Sequence, residues 1–190
     1  MEVLGSKNME IIEFNDYLKN LPRYMESKNS SVIVTSSNLY VLNGGDDYDK
    51  QYCEDNNIKV LNTHSMGGVI VNFEGDVCIG NYQPAHNNFG ERFLQEFVCW
   101  LKEKKINCVI VDNDVLVDGK FKVASYMSVF KNNCLYTAMH ISVNMDINKI
   151  KLICLKEMLK IPKGLVDYGI TEKDVIDFSK ATIPLLEGEK

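Results

Sequence analysis

No pair of cysteines in this 190-residue chain has Cys-x-x-Cys spacing, and none lies at zinc-finger distance from His64, His86 or His140. The six cysteines, at 53, 78, 99, 108, 134 and 154, sit in apolar stretches, where a free thiol behaves as a small hydrophobe. That pattern excludes a disulfide framework and implies a reducing compartment. A basic segment followed by an apolar one is missing from residues 1–10, so no secretory leader is expected. No apolar run approaches the length that spans a bilayer. Basic excess is missing too: the net charge is −5, and the densest lysine cluster, 102–105, is interrupted by Glu103. An acidic chain without a basic patch is a poor binder of nucleic acid or anionic membrane. Repeats, low-complexity tracts and flexible linkers are absent as well. The expectation is a cytoplasmic protein of one domain, with enough chain for a sizeable core.

What is present alternates between two periods. Ile11, Ile12, Tyr17, Leu18 and Leu21 predict an amphipathic helix over residues 9–25, ended by Pro22. β-Branched runs at 31–35 and 38–42 predict strands; Asp46-Asp47 could cap a helix through Asn56, and a strand follows at 58–61. Short strands are expected at 68–73 and 77–80. Phe89, Phe93, Phe97 and Leu101, at steps of four, then mark the strongest helix, whose aromatic stripe reads as core rather than as a cofactor box. Strands follow from 108 to 143, with an Asp118-Gly119 hairpin turn as the clearest local signal. Helices are expected at 147–159 and from Thr171 onward. This order predicts an α/β (α+β) fold, a mixed β-sheet flanked by helices.

Two segments carry chemistry. The first is Asn62-Thr-His-Ser-Met-Gly-Gly-Val-Ile-Val-Asn-Phe-Glu-Gly-Asp76, and the second is Asn113-Asp-Val-Leu-Val-Asp-Gly-Lys-Phe-Lys-Val-Ala-Ser125. Taken alone, Gly67-Gly68 is an ordinary turn, Lys122 an outward strand residue and Asp114 a hairpin cap. In this order and spacing, however, the segments resemble the catalytic domain shared by lipoate–protein ligases, biotin–protein ligases and octanoyltransferases. The family reads Arg-Arg-x-Ser-Gly-Gly-Gly in the first segment and Asn-Asp-(apolar)-x-(apolar)-x-Gly-x-Lys in the second. The stretch Val143-Asn-Met-Asp146 also fits its pattern, and the likeness covers residues 10–160.

The resemblance implies a biotin/lipoate-protein-ligase catalytic-domain fold over residues 1–190, with no C-terminal accessory domain. It also implies ATP-dependent activation of lipoate or a related acid such as octanoate, then transfer to a lysine of a lipoyl-carrier protein domain. Lys122 would be catalytic, bridging the carboxylate and the α-phosphate. Ser65, Gly67, Gly68 and Ser125 would cradle the acyl-adenylate, since glycine lets backbone approach closely. Asn113 and Asp114 would contact nucleotide, with magnesium near Asp114. The chain departs from the pattern where Asn62 and Thr63 replace paired arginines, Met66 replaces a glycine, Ser125 replaces the glycine after the lysine, and the Asn-Asp to lysine spacing is unusual. Two alternatives follow. One is an octanoyl/lipoyl acyltransferase that uses Cys154 as nucleophile without ATP, as one branch does with a cysteine some thirty residues after its lysine. The other is a catalytically inactive ligase-like binding protein.

Overall fold

The computed structural model describes residues 9–26, 30–62, 68–84, 88–131 and 134–188. Strand β1 (Glu10–Glu13) runs into helix α1 (Phe14–Glu26), followed by β2 (Ser30–Thr35), β3 (Tyr40–Asn43), α2 (Lys50–Asp55) and β4 (Lys59–Asn62). Then come β5 (Val69–Asn72), β6 (Val77–Pro84) and α3 (Phe89–Glu103). Four strands follow: β7 (Cys108–Val111), β8 (Asp114–Val117), β9 (Phe121–Lys131) and β10 (Cys134–Ile141). The chain ends with α4 (Ile147–Ile153), β11 (Ile161–Pro162), a 3₁₀ turn (Leu165–Tyr168) and α5 (Glu172–Gly188).

Among the described residues the strands form two sheets. The larger has the order β1-β2-β6-β10-β9-β8-β7, with β11 joining β9 beyond the end of β10; the smaller is β4-β3-β5. Both are mixed: β1 is parallel to β2 and β3 to β4, while the long central strands are antiparallel. The expected mixed sheet flanked by helices is therefore observed.

Helical periodicity explains one face of the large sheet. All four residues of the Phe89–Phe93–Phe97–Leu101 stripe are buried, packed with Val115, Val117, Val123 and Ile141 of the sheet and with Val175, Ile183 and Leu186 of α5. Helix α5 starts from a reciprocal cap: Thr171 N donates to Asp174 and Asp174 N donates to the Thr171 hydroxyl. On the opposite face, Phe14, Tyr17 and Tyr24 of α1 pack with Tyr40 and Leu42 of the small sheet. A third cluster joins β3 and β5 to α2 and α4 through Val41, Val71, Cys53, Ile150 and Ile153.

Four departures from the expected boundaries stand out. Ile11 and Ile12 are strand residues, because β1 adds to the edge of β2 with Ile11 opposite Ile33. Helix α1 continues through Pro22 to Glu26, forgoing the hydrogen bond that a proline nitrogen cannot donate. Asp49, rather than Asp46 or Asp47, caps α2 by accepting from Tyr52 N. Helix α4 stops at Ile153, since Cys154 turns away to bridge Tyr48 and the following residues cross to β9.

Candidate functional site

Three rows of side chains cross the large sheet on the face that meets α1 and the small sheet. In one row Cys78 pairs with His140, His140 with Ser125, and Ser125 with Asp114. In the next, Gly80 pairs with Ala138 and Ala138 with Met127. In the last, Tyr82 pairs with Tyr136 and Tyr136 with Val129. Because residues two apart share a face, the sequence alternations 78-80-82 and 136-138-140 build a polar row, a shallow row and an aromatic row in order. The small residues of the middle row leave a cleft of about 890 Å³, roofed by Phe14, Leu18 and Leu21 of α1 and by Leu42 and residues 69–71 of the small sheet.

The aromatic end is a fixed wall. The Tyr17 hydroxyl lies 2.9 Å from both the Tyr82 and Tyr136 hydroxyls, and the Tyr82 and Tyr136 rings stack at 4.8 Å. Burial pushes the Tyr17 hydroxyl far above its ordinary range, and Tyr136 and Tyr82 add to the effect, so the cluster stays neutral. Gly80 permits this contact: a Cβ there would stand 2.6 Å from the Tyr17 oxygen.

The polar end is built around Asp114. Lys122 Nζ lies 2.9 Å from one carboxylate oxygen of Asp114 and Lys160 Nζ lies 2.6 Å from the other. Burial raises the Asp114 pKa, but the hydrogen bonds from Lys160 and Lys122 outweigh it, and the carboxyl is held below its usual range. The bond to Asp114 raises the pKa of Lys160 in turn. Lys122 therefore points into the cleft, with its side chain 35% exposed at the cleft's edge.

A β-bulge puts Lys122 there. Val115 pairs with Ala124 but Leu116 pairs with Lys122, so Val123 is the extra residue of β9. Val123 and Ala124 both turn into the core packed by α3. Lys122 and Ser125, three residues apart, consequently share the cleft face with Asp114.

Of the residues expected at the site, Asp114, Lys122 and Ser125 meet in the cleft, and Asn62 and Cys154 also line it. Asn113 does not: it is exposed at the β7–β8 turn, where its carbonyl accepts from Tyr126 N. Gly68 precedes β5 with φ 123°, beside Val69 of the cleft lining. Ser65, Gly67, Thr63 and Met66 lie outside the described residues. Cys154 is close enough to Cys53 to feel it, and burial, reinforced by Cys53, raises its thiol pKa, the opposite of what an attacking thiolate needs. All six cysteines are free thiols.

Two residues of the cleft escaped the sequence reading. Lys160 lies within the stretch just beyond the expected helix and reaches Asp114 only because β11 pairs beside Lys122. His140 lies 3.2 Å from Asp76, a fully buried carboxylate that also accepts from the backbone nitrogens of Phe73, Val143 and Asn144. A protein-held magnesium at Asp114 does not fit this arrangement. Both its oxygens face ammonium groups, and no group of three metal-ligating carboxylate, thiol or imidazole side chains occurs among the described residues.

No family model matches the sequence, and no curated protein matches it. Solved structures do match in three dimensions. The bi-partite lipoate protein ligase of the Thermoplasma acidophilum lipoylation system aligns with TM-score 0.76 at 11% identity, covering 94% of this chain and 83% of that one. LipL1 of P. falciparum, solved in complex with lipoate, aligns with TM-score 0.74 at 13% identity, over 96% of this chain and 61% of its own. The biotin protein ligase of Aquifex aeolicus, in complex with biotin and ATP, aligns with TM-score 0.54 at 13% identity, over 94% and 68%. The fold is that of the lipoate and biotin ligase catalytic domains. Within this fold, the cleft joins an apolar trough to a pair of lysines.

Proposed function

We propose that the chain is a lipoate–protein ligase-like enzyme of the cytoplasm, with residues 1–190 forming a single catalytic domain of that type. It would join lipoate or a related acid such as octanoate to ATP, giving an acyl-adenylate and pyrophosphate, and pass the acyl group to a lysine amine of a lipoyl-carrier domain, releasing AMP. The observation that carries this reading is the placement of Lys122 at the polar end of an apolar cleft, 2.9 Å from Asp114. An ammonium there would neutralise charge that develops between the carboxylate and the α-phosphate. Ser125 and Gly68 would border the intermediate, joined by Ser65 and Gly67, which directly precede Gly68 in the sequence. Neighbours of this fold solved with lipoate, or with biotin and ATP, support both halves of the substrate.

The test is calorimetric titration with ATP, lipoate and an acyl-sulfamoyladenosine, together with lipoate- or octanoate-dependent exchange of pyrophosphate into ATP. Binding of the adenylate mimic is expected; binding of none of the three overturns the reading.

One observation keeps an ATP-independent acyltransferase in play: Cys154 opens into the same cleft as Lys122. Its raised thiol pKa weighs against it. Intact-mass measurement after incubation with octanoyl-carrier protein decides, because only that reading produces an adduct on Cys154. A ligase-like binding protein without activity draws support from Asn62. Its neutral amide, accepting from Asn43 at 3.0 Å, stands in the sequence where the pattern that the chain resembles has an arginine. Binding of the mimic without pyrophosphate exchange would favour that reading.

A further inference from the structure

The charged groups that line the cleft, among the described residues, are one carboxylate, Asp114, and two ammonium groups, Lys122 and Lys160. The cleft is thus cationic by one charge inside a chain of net charge −5. Asp112 lies 3.6 Å from Lys160 but is 84% exposed, so solvent screens it. The two ammoniums take opposite oxygens of a single carboxylate, at 2.9 and 2.6 Å, and so converge on one small anion. Lys160 is carried on a rigid segment. Pro162 pairs with Lys122, Lys163 N donates to the Lys122 carbonyl at 2.9 Å, and Gly164 is packed so closely that a Cβ would stand 2.5 Å from the Val143 carbonyl oxygen.

We infer that Lys160 is the second anion-binding group of this site. It holds the phosphate of a monoanionic acyl-adenylate. The inference rests on the ligase reading above. One surplus positive charge matches the single negative charge of an acyl-phosphate mixed anhydride. Each ammonium has three N–H donors, so both can keep Asp114 and still donate to an oxygen of the phosphate. A lysine offers a point charge rather than a fork, so two of them, one on β9 and one in the bend before β11, can hold one phosphate from two sides.

The experiment compares binding of 5′-O-(N-octanoylsulfamoyl)adenosine, an anion, with that of 5′-O-octanoyladenosine, which is neutral at the linkage. The proteins are the wild type, Lys160→Met and Lys160→Arg, each first checked for an unchanged melting temperature; Lys160→Gln substitutes if the methionine variant fails to fold. The expected result is binding of the anionic probe weakened by about tenfold or more in Lys160→Met, the range for one charged hydrogen bond. The neutral probe should be unaffected, and arginine should restore most of the loss. Equal binding of the anionic probe by wild type and Lys160→Met overturns the inference while leaving the ligase reading intact. So does equal weakening of both probes, which marks a merely structural lysine. No binding of either probe by the wild type overturns the ligase reading and this inference together.

Discussion

Lys122 lies on β9 and Lys160 in the bend that leads into β11, 38 positions later, yet their ammonium groups lie 2.9 and 2.6 Å from the two oxygens of Asp114. The polar end of the cleft is this three-residue device, and its parts should respond differently to substitution.

Removing Lys122 should act on chemistry more than on folding. Asp114 retains Lys160, so no buried carboxylate is orphaned in Lys122→Met. Pyrophosphate exchange should fall by about 10²–10³-fold, the range for losing one preorganised charge-stabilising donor. A melting temperature close to wild type, beside that loss, separates the catalytic role from a structural one.

Asp114 should make the protein acid-sensitive. Its folded pKa lies below the ordinary value of 3.8, so the folded state binds the proton less readily than the unfolded chain. The stability this contributes is present above the unfolded pKa and is lost as pH falls through the folded one. Melting temperatures of wild type and Asp114→Asn, followed from neutral pH downward, should converge below about pH 4. A gap that stays constant across the range would contradict the assignment.

Gly80 should set the depth of the trough. In Gly80→Ala the new Cβ meets the Tyr17 oxygen at 2.6 Å, forcing Tyr17 away from Tyr82 and Tyr136. Overpacking of this kind costs about 1–3 kcal/mol, readable as a lower denaturant midpoint. The acid accepted should also shorten, so binding of octanoate should weaken more than that of butanoate in a titration series.

Asp76 is expected to be the costliest polar residue to lose. Three backbone nitrogens and His140 depend on a carboxylate with no exposed surface. Asp76→Ala leaves the buried nitrogens of Phe73 and Val143 unmatched, at a cost of about 3 kcal/mol. Asp76→Asn keeps one acceptor oxygen and should lie between the two in urea denaturation.

Legibility in the sequence followed the range of the forces involved. The α3 stripe and the Asp118-Gly119 turn were readable because their causes are local. Helical period places Phe89, Phe93, Phe97 and Leu101 on one line, and both turn residues adopt positive φ, as a tight hairpin requires. Ile11 and Ile12 were misread because the edge of β2 that recruits them lies some twenty residues away. The end of α4 was misread because Cys154 answers to Tyr48 rather than to its own helix.

The sequence by itself determined the order of strands and helices, the apolar faces, and the segment of residues 113–125 with its Asp114 and Lys122. Those features follow from period, turn chemistry and residue type. Only the tertiary structure decided which face Lys122 takes, because a single bulge at Val123 reverses the alternation that a strand would otherwise impose. It alone excluded Asn113 from the cleft and brought in Lys160 and His140, since cross-strand pairing joins residues that no local pattern connects.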